Sequence, residues 1–214
     1  MKLLCLANSR KEGGRCLAGV KWPELDVWIR PVWRESKGGA VPTNRCSHIK
    51  LLDVIEVELI EVTNKIAYQP ENMEFGESEI IVQRNLSTNE VREDLFRLSN
   101  YPETLLGNHV RKSIPASKAN LGLPSSIKLI RAECRFYLGD RDKWRAKFNL
   151  NRFGQIDEKN TYDFPLTDPV WAQRCRDDPQ WVGIKRDLFL TISLGNAWEE
   201  SHWFLVSGVI PVFP

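Results

Sequence analysis

The sequence predicts a mainly β chain folded as two small five-stranded barrels, each with one short helix, packed as one unit. Three observations predict it. The apolar runs are short, rich in Val, Ile, Leu and aromatics, and punctuated by Gly, Pro, Asn and Ser. Each half carries about five such runs and a single stretch with helical spacing. No internal repeat or low-complexity linker separates the halves of the 214 residues, which are 42% hydrophobic and 27% charged, enough for one large core or two modest ones.

In the first half, strands are expected at 2–8, 15–22, 26–33, 51–63 and 79–86. Within "LLDVIEVELIEV" the alternation slips at Val54-Ile55 and again at Leu59-Ile60, as it does where bulges bend a long strand toward closure. "LSTNEVREDLFRLSN" breaks the pattern, because Val91, Leu95 and Leu98 fall at helical spacing behind a capping box at Ser87 to Glu90. One helix over 88–99 follows. After a polar stretch at 107–126, strands resume at 127–138, 143–151, 161–166, 187–195 and 202–213. A second helix opens at Thr167-Asp168-Pro169, with Thr167 as cap and Pro169 in the first turn, and runs to Arg176. Five strands and a helix per half is the content of an oligonucleotide-binding (OB) barrel, with residues 1–107 forming one and 108–214 the other. A single ten-stranded sandwich would show the same strand pattern.

Composition narrows the function. No run reaches the roughly 18 apolar residues of a membrane span, and "MKLLCLANSRK" turns polar too early for a signal peptide, so a soluble, cytoplasmic protein without a membrane partner is expected. Cys5, Cys16, Cys46, Cys134 and Cys175 are an odd set without close spacing, which argues against a disulfide framework or a zinc cluster. Cys46-Ser47-His48 lacks a second pair, and His109 and His202 are isolated. There is no P-loop, dinucleotide fingerprint or nucleophile elbow, and no cofactor is expected. Asp53, Glu56, Glu58 and Glu61 with Lys65 resemble the carboxylate set of metal-dependent nucleases, but alternating acids on a solvated strand look the same.

The net charge of +2 hides a segregation. Residues 1–50 hold ten Lys/Arg against four Asp/Glu, 51–107 four against twelve, 108–152 eleven against three, and 153–214 five against nine. Such asymmetry suits either basic faces for a polyanion or segments that neutralise one another across the fold. The densest basic signal is "ANSRKEGGR", between the first two strands, where a hairpin needs only its turn residues. Arg10, Lys11 and Arg15 can bind phosphate, Gly13 and Gly14 allow close backbone approach, and Asn8 and Ser9 can bond sugar or phosphate oxygens. A solvated hairpin would also carry Lys and Gly. In "DVWIRPVW" the two-residue period sets Trp28, Arg30 and Val32 on one face, with Trp28 suited to the core and Arg30 projecting beside it under the overhanging hairpin. "KWRAKFNLNR" turns Trp144, Ala146, Phe148 and Leu150 inward and Arg145, Lys147, Asn149 and Asn151 outward, a cationic ribbon joined by Arg141, Lys143 and Arg152.

These segments carry a resemblance. "LANSRKEGGRCLAG", "VWIRPV", "YQPEN" (Tyr68 to Asn72), "TDP" (Thr167 to Pro169) and "LTISLG" (Leu190 to Gly195) resemble the dual OB-containing domain family of prokaryotes over nearly the whole chain. The resemblance implies two OB-like barrels and a non-enzymatic role in binding nucleic acid or nucleotides, beside effectors of prokaryotic conflict systems. It also implies that Tyr68, Gln69 and Asn72 belong to the site. Tyr68 stands where the family carries His, which leaves a stacking aromatic in place of an imidazole. The expected ligand is single-stranded nucleic acid or a nucleotide, read by Asn8, Ser9, Arg10, Lys11, Arg15, Trp28, Arg30, Tyr68, Gln69 and Asn72. The alternatives are a metal-dependent phosphodiester-cleaving enzyme and a protein-interaction adaptor for an effector.

Overall fold

The computed structural model describes residues 1–63, 65–99, 105–106, 112–150 and 161–213. Seven strands form the first sheet: β1 (Lys2–Lys11), β2 (Gly14–Lys21), β3 (Trp28–Val32), β4 (Asp53–Glu56), β5 (Leu59–Glu61), β6 (Asn72–Phe75) and β7 (Ile81–Asn85), in the order β5-β6-β3-β2-β1-β4-β7. Only Val57 and Glu58 separate β4 from β5, yet the two lie toward opposite ends of that order. Two residues span at most about 7 Å. The sheet must therefore curl until its ends meet, which makes it a half-barrel.

The second sheet holds β8 (Ser113–Pro115), β9 (Ile127–Leu138), β10 (Trp144–Asn149), β11 (Thr161–Pro165), β12 (Arg186–Trp198) and β13 (Ser201–Pro211), in the order β11-β10-β9-β12-β13-β8. It curls as well, because Leu166, just past β11, bridges in parallel to Val206 on β13. The fold is mainly β, with two curled sheets. The expected boundary at 107/108 lies outside the described residues, as do His109, Asn151 and Arg152.

Several elements depart from the sequence reading. The expected strand 51–63 divides, because Val57 turns inward and Glu58 accepts from Ser78, so β4 pairs with β1 and β7 while β5 pairs with β6. The slip at Val54/Ile55 is a register shift against β7, whereas the second break falls at Val57-Glu58. Two short strands, β6 and β8, were not expected. Helix α1 (Thr43–Cys46) and helix α3 (Ala116–Ala119) are single turns. Helix α2 (Thr88–Leu98) carries the expected capping box between Ser87 and Glu90. Helix α4 (Pro169–Asp177) is capped by Asp168 rather than Thr167, whose hydroxyl donates to the Val206 carbonyl.

Strand β1 is buried on both faces because it serves two cores. Leu3 and Cys5 point into the first half-barrel, with Leu17, Ile29, Ile49 and Ile55. Leu4 and Leu6 point the other way, into a core shared with Val91 and Leu95 of α2 and with Leu129, Phe189 and Ile210 of the second sheet. A third cluster, including Phe136, Phe148, Phe164 and Phe204, fills the second half-barrel. The sheets touch where two bulges meet. The β1/β2 register shifts around Leu6 and the β12/β13 register around Ser207, and the Thr191 hydroxyl donates 2.6 Å to the Leu6 carbonyl. Gly208 has no alternative there, since a Cβ would collide with that carbonyl oxygen.

A cationic cleft between the two sheets

The β1–β2 hairpin turns at Glu12-Gly13, with Gly13 at φ 81°, a conformation that suits glycine. It leans on the second half of the chain, where the Arg10 N–H donates 2.9 Å to the Thr167 carbonyl. Beneath it lies a cleft of about 260 Å³, lined by Ser9, Arg10, Lys11, Glu12 and Cys16 of the hairpin, Arg30 of β3, and Ser193, Gly195 and Asn196 of β12, so that three cations meet one carboxylate there. The hairpin, "IRP" and "SLG" segments thus share one hollow.

Alternation splits the hairpin cations. Lys11 lies on the same face as Ser9 and its partner Cys16, toward the cleft, and donates to the Gly38 carbonyl. Burial pushes its ammonium below the ordinary lysine range, against an upward pull from Cys16 and with a lesser downward push from the Arg30 guanidinium. Arg10 and Arg15 are cross-strand partners on the opposite face, and Arg10 still contributes to the cleft rim. They form a non-hydrogen-bonded pair, because the Arg15 N–H goes to Val41 instead. Side chains approach closest at such pairs, and like charges there are destabilising. Arg15 lines a separate, wider hollow against Arg174 and Trp181. Gly14 presents no backbone to a ligand, since a Cβ there would strike the Val41 carbonyl.

Arg30 does not project. It is 2% exposed, because β3 lies between β2 and β6 with both faces covered. Its guanidinium pairs with Glu71 at 3.2 Å and donates to Ser126 Oγ at 2.9 Å, while Ser126 donates from its hydroxyl and its N–H to the Glu71 carboxylate. Its Nε–H has no partner among the described residues.

The "YQPEN" segment is structural where it touches the cleft. Gln69 Nε2 donates to the Leu194 carbonyl at 3.3 Å, Asn72 Nδ2 donates to Gln69 Oε1 at 3.2 Å, and both residues are buried. Tyr68, half-buried, lies against His202 of β13 with ring centroids 3.9 Å apart. These residues hold the halves together around the cleft rather than face it. Asn8 is buried too, donating to the Cys46 and Ile49 carbonyls. Trp28 packs against the shared core. Of the expected site residues, the structure brings Ser9, Arg10, Lys11 and Arg30 to the cleft. The sequence reading missed Glu12, Cys16, Ser193 and Asn196 as site residues, although Glu12 and Cys16 lie within "LANSRKEGGRCLAG" and Ser193 and Asn196 within or beside "LTISLG".

Elsewhere, charge is compensated. Arg30–Glu71, Arg34–Glu74, Arg131–Asp187 and Arg145–Asp163 each join a basic segment to the acidic segment that follows it. Arg145 of the outward ribbon is thus paired. The acids at 53–61 are engaged locally: Asp53 accepts from Asn85, Glu56 from Gln83 and Glu58 from Ser78, and Glu61 pairs with Lys65. Among the described residues no three metal-ligating side chains gather, and Cys46 is buried with its thiol pushed up to about 11. No helix among them is long and apolar enough to cross a membrane.

Two curled sheets joined around a cleft define a protein of two OB-like units. The chain belongs to the dual OB-containing domain family, whose model matches residues 1–209. No curated protein gives a significant sequence match. A solved structure described as the molecular basis for abrogation of activation of pro-inflammatory cytokines is similar over 98% of this chain and 90% of its own, with 9% identity and a TM-score of 0.33.

Proposed function

We propose that this protein is a non-enzymatic binding module that holds a phosphate-bearing nucleotide unit, free or within a single strand of nucleic acid, at the hairpin cleft. One observation carries the reading: Arg10 and Lys11 both line the cleft, where Glu12 is the one carboxylate, Arg15 stands directly opposite Arg10, and among the described residues none of the three cations lies within salt-bridge distance of a carboxylate. A hairpin gains nothing from opposed like charges, and an anion relieves them. The cleft's 260 Å³ lies just below the roughly 300–1,000 Å³ of small-molecule pockets, a size for one sugar-phosphate or one base. A role as sensor or accessory component beside an effector in a prokaryotic conflict system fits such a module.

The test is fluorescence anisotropy of labelled single-stranded DNA and RNA at several salt concentrations. Each phosphate contact on a single strand adds about 0.7 to the logarithmic salt slope, so the joint change of Arg10 and Lys11, the two hairpin cations that line the cleft, to Ala should flatten it by about 1.4. Binding should be largely indifferent to base sequence. Equal slopes, or no binding by the wild type at low salt, would defeat the proposal. Arg30 is left intact, since Glu71 already claims its charge.

A further inference from the structure

A second hollow, of about 460 Å³, opens on the second sheet beside Trp203. Trp203 is 38% exposed, and its indole N–H donates 3.2 Å to the Trp198 carbonyl, which fixes the ring. Across the hollow, Tyr137 donates to Asp163 at 2.6 Å, and Arg145 Nε donates to the same carboxylate at 2.8 Å. With Asp163 so engaged, Lys112 and Lys143 face one further carboxylate, Asp140, leaving cationic charge in surplus. A fixed, partly open indole with lysines around it is the arrangement on which a base stacks while its phosphates meet the cations.

The hollow adjoins the cleft. Trp203 lines the one and Leu205 the other, and both lie on the same outward face of β13, two residues or about 7 Å apart. On the other flank, Pro165 lines the hollow, while Thr167 accepts from Arg10 and donates to Val206.

Resting on the reading above, we infer that the Trp203 hollow is a second nucleotide subsite continuous with the hairpin cleft, so that the ligand is a single strand of two or more nucleotides rather than a mononucleotide. The strand lays phosphate against Lys11 and Arg10 and stacks a neighbouring base on Trp203.

Competition against labelled oligo-dT of eight residues, with thymidine monophosphate and oligo-dT of two and four residues as unlabelled probes and the uridine series in parallel, tests it. One stacked base should make the tetramer roughly 5- to 150-fold tighter than the monophosphate. Trp203→Ala should erase that length preference and leave monophosphate binding unchanged, while Trp203→Phe should keep most of it. The effect in either the deoxy or the ribo series supports the inference. Equal affinity of the wild type for monomer and tetramer, or a length preference that survives Trp203→Ala, overturns it while leaving the hairpin site standing. Absence of binding by every probe overturns both.

Discussion

Lys11 is the residue through which pH should act on the proposed phosphate site. Burial and the nearby Arg30 lower its affinity for a proton in the folded protein relative to the unfolded chain. Between the two titrations the unfolded chain holds more protons, so without ligand this residue makes stability rise with pH there. A bound phosphate favours the ammonium, so binding takes up a proton. Affinity at fixed salt should therefore fall as pH climbs from 7 toward 10, earlier than for an ordinary lysine, and Lys11→Arg should abolish the fall because a guanidinium stays charged. A wild-type pH profile in that variant would refute the assignment. The cation cluster itself was legible in the sequence, but its division was not. The strand period alone sets Arg10 and Lys11 on opposite faces, but that Arg10 stands opposite Arg15 depends on the hairpin's register, which the Lys11–Gly14 pair fixes. Arg30 misled for another reason: it is covered by a parallel partner, β6, which lies some 40 residues away and whose polar "NMEF" did not read as a strand.

Helix α4 depends on one carboxylate. Asp168 Oδ1 accepts from the Val170 and Trp171 N–H groups at 2.9 and 3.0 Å, and Oδ2 accepts from the Val209 N–H at 3.1 Å, so a single side chain ties the helix start to β13. Removing the cap costs about 1 kcal/mol. Orphaning a buried N–H costs about 1–3 kcal/mol more. Asp168→Ala should therefore lower unfolding free energy by about 2–4 kcal/mol in urea with little change in the m-value. A loss well under 1 kcal/mol would mean that water replaces both contacts. β9 and β10 were legible because alternation persists along them, and β12 and β13 because each is a long run rich in apolar and β-branched residues, buried on both faces over much of its length. The three-residue strand β8 offers no period to read, and the change of partner between β4 and β5 is written in pairing rather than in hydropathy.

At the scale of the molecule, the two sheets share a core that neither completes alone. Leu4, Leu6 and Leu95 from one half close against Leu129, Phe189 and Ile210 from the other, and the Gln69–Leu194 and Arg30–Ser126 hydrogen bonds fasten the same seam. Heating should give one calorimetric transition, with van't Hoff and calorimetric enthalpies equal. The separate pieces 1–107 and 108–214 should stay unfolded when expressed alone. Two resolved transitions, or a folded isolated piece, would show the halves to be autonomous. The sequence announced two barrels because each half repeats the same element count. It was silent on the shared core because Leu4 and Leu6 read like any other strand residues.

The crossing at Leu6 also has a bearing on birth. Its carbonyl meets Thr191, 185 residues later in the chain. At about 5–20 residues per second, a ribosome takes roughly 10 to 40 seconds to deliver the second partner after the first. Throughout that interval Leu4 and Leu6 lack the cover that Phe189 and Ile210 will supply, so the nascent first half carries uncovered apolar side chains until nearly the whole chain has been made.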